Sequence, residues 1–322
     1  MPSATYHEAR VFITGDTEED RFLPEGPRPI VLEGRDALLW VNIQTAPDAT
    51  AGALHLRFWD TGEHRVWPLP GRPGFVFPTS RPGVVLIGMG KEVGLYDLAH
   101  REWHPLATIA DPNPRTIIND GEVAPGGRAV VFGTKDTHFA DPIAGLYLFT
   151  VGDNVVSLLA GEQVCSNGKV LARDGSDLVL FDIDTPTRRV VRYRLDVAAR
   201  IATLESVAVE VLEFPGFPDG MRDAGEGTAI IAFYNPDPVK DGRAVRFDLA
   251  SGKAVEHWSI PTSPRVTCPC LVQRPDGVKL VLTTATEGMP ATLRESATEA
   301  GNLFLAETDL VACPPPGLVQ LD

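Results

Sequence analysis

Six pairs of short apolar runs recur along the whole chain, with glycine- and proline-rich turns between them, and this pattern leaves few folds open. The pairs are 37–43 with 52–58, 84–88 with 93–96, 129–132 with 145–149, 177–181 with 190–193, 228–233 with 243–247 and 279–283 with 302–305. The first run of each pair is nearly continuous in apolar residues, as a strand covered on both faces requires, while the second tends to alternate. Turn signals such as Pro-Gly-Gly, Arg-Asp-Gly, Ala-Ser-Gly and Pro-Asp-Gly separate them, and no window of twelve or more residues keeps a helical period. An interval near fifty residues belongs to repeat architectures whose unit is a four-stranded sheet. The expectation is an all-β chain, a six-bladed β-propeller with four-stranded antiparallel blades, in which each pair forms the middle of a blade.

No linker-like stretch interrupts the repeat, so one propeller domain is expected over residues 1–322, and the 30 glycines and 28 prolines match its number of turns. The last blade is short of a strand, because the chain runs from Leu305 into Pro314-Pro315-Pro316. The strand-like segment 6–13 is the natural candidate to pair there, since an open edge invites aggregation.

Four short segments combine an oxygen-bearing side chain with a turn: Pro24-Glu25-Gly26-Pro27, Asn119-Asp120-Gly121, Ser166-Asn167-Gly168 and Pro218-Asp219-Gly220. Asn119 lies 94 residues after Glu25, Asn167 a further 48 and Asp219 a further 52, so the motifs fall one blade or two apart. Any one of them alone reads as a turn former. Together, at blade spacing, they read as groups held on one cation. Two carboxylates and two amide oxygens make a hard shell suited to a divalent ion, with Ca2+ the first choice and Mg2+, Mn2+ or Zn2+ as alternatives.

Composition excludes some partners. Acids outnumber bases by 43 to 29, a net charge of −14, which argues against nucleic acid and anionic membranes and leaves a small-molecule substrate. No charged-then-apolar leader and no run of about 18 apolar residues is present, so a cytoplasmic protein, monomeric or weakly dimeric, is expected. Cys165, Cys268, Cys270 and Cys313 are too few and too irregular for a disulfide framework, and no histidine pair makes them a zinc site. No Gly-x-Ser-x-Gly elbow supports a Ser/His/Asp hydrolase, and His138 is the one histidine placed near the motifs.

These four segments, with Gly133-Thr134-Lys135-Asp136 and the stretch from Pro218 to Asn235, resemble the senescence marker protein/gluconolactonase/regucalcin family from Glu25 to about Met289. The resemblance implies a six-bladed propeller with one divalent cation near its channel, and in many members the hydrolysis of sugar lactones. Carried over by motif, Glu25, Asn167 and Asp219 would be direct ligands, with Asn119 a fourth ligand or a substrate contact. Asp219 would also be the catalytic carboxylate, accepting the proton of a water that opens the lactone. Asp120 would support the site, and Asp136 would anchor a nearby loop. Two positions depart from the family pattern. Ile117 stands where lactonases of the family commonly carry an arginine, with Arg115 two residues further back, and His138 stands where regucalcin-like members carry an acid. Both are candidate substrate contacts. The related diisopropyl fluorophosphatase makes phosphotriester hydrolysis the competing activity, and a calcium-binding propeller without turnover the competing class.

Overall fold

The structure, a computed structural model, describes residues 4–322 and is six sheets of four strands each, one of them extended by a fifth strand. The innermost strands of blades 1 to 6 are Pro24–Leu32, Pro73–Pro78, Thr116–Val123, Ser166–Asp174, Phe217–Gly225 and Val266–Arg274. Each contacts the next, and Val266–Arg274 contacts Pro24–Leu32, so the sheets close into a ring. The six run pairs of the sequence occupy the second and third strands of the blades, beginning with Arg35–Asn42 and Ala53–Phe58 and ending with Gly277–Thr284 and Leu303–Glu307.

The continuous apolar character of the second strands has a direct cause in packing. There is one hydrophobic cluster at each of the six blade interfaces, and alternate residues of a second strand feed opposite ones. In Arg35–Asn42, Leu39 and Val41 pack toward blade 2, whereas Leu38 and Trp40 pack toward blade 6. In Ala129–Asp136, Val130 and Phe132 pack toward blade 2, and Val131 toward blade 4. Both faces of the middle of such a strand are interior, so its central residues are apolar and its polar residues, such as Asp182 and Lys279, are buried with partners.

The N-terminal segment is divided between two blades rather than laid on one. Arg10–Ile13 pairs antiparallel with Leu303–Glu307 as the outermost strand of blade 6, while Thr5–Glu8 pairs in parallel with Ala254–Ile260 of blade 5. Ala9, buried between them, donates its N–H to the Ser259 carbonyl at 2.9 Å. The far end of the chain also ties blades together: Val319 is fully buried between blades 2 and 3 and exchanges backbone hydrogen bonds with Pro78 and Ser80. Deleting residues up to Ile13 would expose the edge of Leu303–Glu307 and uncover the blade 5–6 interface. The shortened protein should melt several degrees lower and scatter light on heating; unchanged melting and solubility would contradict this role.

Candidate metal centre

All six innermost strands carry a β-bulge against their second strand, and all six bulges lie toward the same end of the repeat. A bulge sets two residues against one and re-aims a side chain. In blades 1, 3, 4 and 5 the bulged segments contain Glu25, Asn119, Asn167 and Asp219. The glycines that follow these residues are therefore not hairpin turns. A Cβ on Gly168 would fall 2.6 Å from the Asp219 carbonyl oxygen, and one on Gly220 would fall 2.8 Å from the Cα of Cys268, so side-chain-free positions let neighbouring blades meet at the axis. Blade 2 places Gly74 at its bulge, and blade 6 uses Thr267 to hold the Pro24 carbonyl at 2.7 Å.

The four predicted residues line one cavity of about 370 Å3, and each is less than a tenth exposed, at 9, 6, 7 and 8 % in chain order. The amide nitrogens are engaged by neighbouring groups, of which Cys165 and Thr185 share the wall. Asn119 Nδ2 donates to the Ser166 carbonyl at 3.1 Å and to Cys165 Sγ at 3.6 Å, and Asn167 Nδ2 donates to Thr185 Oγ1 at 3.3 Å. The Asn119 carbonyl oxygen can face the cavity beside the carboxylates, and that of Asn167 accepts the Gly168 N–H at 3.2 Å and keeps a second lone pair for it. Burial, and then the nearby Asp219 and Asp120 carboxylates, push Glu25 well above the usual carboxylate range. Burial, and then Asp120, push Asp219 up to about 8, against a hydrogen bond from Asn167. Such a cluster is short of positive charge and made of hard oxygen donors, which is the environment a divalent cation fits.

These shifts have a testable sign. The folded-state pKa of Asp219 is raised, so the stability it contributes is complete below its unfolded value and is lost as pH rises through about 8. Metal-stripped protein should therefore melt progressively lower from about pH 5 to about pH 8, and added divalent cation, which favours the ionised carboxylates, should raise the melting temperature more at the upper end. A stripped protein whose melting temperature is flat or rising across that window would contradict the burial of these carboxylates.

Asp120, buried beneath the cavity, accepts the Gly121 N–H at 2.7 Å and is itself raised by burial. Asp136 anchors the loop after its strand: it takes the Arg115 guanidinium and the backbone N–H groups of His138, Ala140 and Asp141, and the Arg115 bond holds it far below the usual range. Ile117 and His138 are not among the residues that line the cavity. Ile117 sits opposite Lys135 in the strand pairing and His138 is exposed, while Lys135, Thr137 and Phe139 supply that part of the wall. Lys135, Arg72, Glu287, Phe217 and Tyr234 share the wall; sequence reasoning assigns them no site role, although Lys135 and Tyr234 fall inside its motif stretches. Tyr234 is pinned there, donating to the Glu287 carbonyl at 2.8 Å beside Arg265. Cys165, read from sequence as a plain buried thiol, lies in the wall with its sulfur against the Asn119 amide, and burial pushes it up to about 12, so it stays a neutral thiol.

The ring of six blades encloses a buried, oxygen-lined cavity at one end. Residues 23–286 match the family described as SMP-30/Gluconolactonase/LRE-like region, and the chain belongs to it. Among curated relatives, an L-arabinolactonase of Azospirillum brasilense is 26% identical over 283 residues, covering 84% of each chain. A protein of Bacillus subtilis named as a putative sugar lactone lactonase is 29% identical over 216 residues, which is 67% of this chain and 70% of that one. A solved calcium-binding regucalcin of Agrobacterium tumefaciens superposes with a TM-score of 0.82 over 99% of this chain and 100% of its own, at 23% identity, a likeness of fold. Among the described residues no helix is long and apolar enough to cross a membrane.

Proposed function

We propose that this protein is a divalent-cation-dependent lactonase acting on small polar lactones. The observation that carries the reading is the convergence of two carboxylates and two amides from four blades on one cavity, in a chain of the lactonase-bearing family. The named relatives include two lactonases, one of them putative. A cavity of about 370 Å3 is at the small end of ligand sites and suits a monocyclic sugar-acid lactone.

Glu25, Asn119, Asn167 and Asp219 would hold the cation. When bound, such an ion polarises the lactone carbonyl and stabilises charge on its oxygen. Asp219, ionised beside a cation, orients a water and accepts its proton as the water oxygen attacks the carbonyl carbon. The ring C–O bond then breaks and the departing alkoxide takes up a proton, leaving a hydroxy acid. Phe139, Phe217 and Tyr234 line the same cavity and limit the water that reaches it.

Ring opening releases a proton at neutral pH, so titration at constant pH tests the proposal with aldonolactones, aliphatic lactones and a phosphotriester, in metal-loaded and chelated protein. Lactone opening that needs the metal is expected. Faster turnover of the phosphotriester would assign phosphotriester hydrolysis instead, and no metal-dependent turnover of any compound would leave a cation-binding propeller.

A further inference from the structure

We propose that Lys135, with Arg72 on the same cavity, selects a lactone that carries a second, anionic group. Lys135 lies on the second strand of blade 3, in Gly133-Thr134-Lys135-Asp136, and its backbone bridges to Cys165 at the start of blade 4. The residues on either side of it are already engaged, Thr134 with the Gly145 N–H and Asp136 with Arg115. Lys135 is not. Its ammonium has no hydrogen bond or ion pair among the described residues, although it lines the cavity and its charge reaches Glu25, Asp219 and Cys165. Other lysines of the fold are committed: Lys91 to the Asp111 and Asn113 carbonyls, Lys169 to Asp182, and Lys279 to Asp276 and Glu307. Arg72 is fixed by one bond from Nε to the Ala49 carbonyl at 2.9 Å, which leaves the two ends of its guanidinium without a partner among the described residues.

The plainer role for Lys135 is to neutralise the cavity carboxylates, and the geometry disfavours it, because Lys135 makes no ion pair with Glu25 or Asp219. A divalent ion on those carboxylates would take over that task. The wall would then carry Lys135, Arg72 and the ion against Glu25, Asp219 and Glu287, with Asp120 beneath and Asp136 paired with Arg115, so the carboxylates would be balanced without a direct ion pair to Lys135. A partly buried, unpaired cation in a small cavity attracts a carboxylate or phosphate strongly, since charge-assisted bonds gain from a low local dielectric. The substrate class that fits is the monolactone of a dicarboxylic sugar acid, or a phosphorylated aldonolactone; the shared chemistry is an anionic group away from the ring carbonyl.

This inference takes its substrate from the lactonase reading, but anion binding can be read independently. Activity should be compared on glucono-1,5-lactone, glucaro-1,4-lactone and a phosphorylated gluconolactone, and binding of gluconate and glucarate followed by calorimetry on metal-loaded protein. The wild type should prefer an anionic lactone and bind glucarate more tightly than gluconate, and both preferences should weaken with salt. The faster of the two anionic lactones identifies which anion the site takes. Lys135→Met should shrink the anionic-to-neutral ratio of kcat/KM about 10- to 100-fold and remove most of its salt dependence, and Lys135→Arg should restore part of both. Glucarate binding that depends on Lys135, with no lactone opened, would uphold the anion site and fail the lactonase reading. Equal use of neutral and charged lactones by the wild type, or an equal loss on both in Lys135→Met, would overturn the proposal.

Discussion

Asp219→Ala is expected to lower metal-dependent lactone opening at least about a thousandfold, the largest effect of any single change in this protein. One side chain is asked to do two things there, to hold the cation and to take the proton of the attacking water, and alanine removes both. Asp219→Asn divides them: an amide oxygen can still ligate, but it cannot accept the proton, so cation binding should weaken less than turnover. Stability moves the other way. Asp219 is buried and raised to about 8 in the folded state, so replacing it removes an unfavourable charge, and metal-free Asp219→Ala should melt no lower than the metal-free wild type near pH 8. A variant with a tenth or more of wild-type activity at saturating metal would contradict the role assigned to Asp219.

The largest loss of stability should come from Lys169→Met. Lys169 and Asp182 are both fully buried, 3.1 Å apart, and the ammonium also donates to Ser166 Oγ at 3.1 Å and to the Asn167 carbonyl at 2.7 Å. Methionine fills the space but leaves Asp182 with only Gln163 and Ser166 as donors. Removing one partner of a buried ion pair costs about 3 to 5 kcal/mol, because the other charge remains in the interior. In a protein of 322 residues that is a fall in melting temperature of roughly 4 to 7 °C. Because Lys169 fixes the backbone of Asn167, cation affinity should fall with it. The double variant Lys169→Met/Asp182→Leu removes both charges and should recover most of the stability but little of the affinity. Chemical denaturation with a parallel cation titration measures both, and a single variant as stable as the wild type would contradict the ledger.

The blades were legible because their second strands have no free face. Leu38, Leu39, Trp40 and Val41 serve two interfaces in four residues, and such a run has no other reading once it recurs six times. The four oxygen-bearing residues were legible because each lies within two positions of a glycine; Gly121, Gly168 and Gly220 sit where neighbouring blades leave no room for a side chain, and Gly26 takes a positive φ of 56°, so the motifs mark the axis. The division of the N-terminal segment at Ala9 was not legible, since strand propensity does not name the partner strand, and segments 5–8 and 10–13 are equally suited to either edge. The rest of the cavity wall was hidden for a related reason. Phe217 and Tyr234 are cross-strand partners within blade 5, whereas Glu287 reaches them from the loop after the second strand of blade 6, so no spacing rule groups the three. Ile117 and His138 were placed by correspondence with a family pattern, and the bulge after Ile118 with the loop held by Asp136 turns the wall over to Lys135, Thr137 and Phe139.

The most direct test of the cation site is an anomalous difference map from crystals grown with Mn2+. The expected result is one strong peak within about 2.0 to 2.6 Å of oxygens from Glu25, Asn167 and Asp219, with Asn119 completing the shell or adjoining it. The chain offers a rival in His7, Glu256 and Asp309, whose ligand atoms lie within 4.8 Å of one another on the outer side of blades 5 and 6. A peak there alone, or four cavity side chains that remain beyond coordination distance of any ion, would contradict a shared cation at the axis.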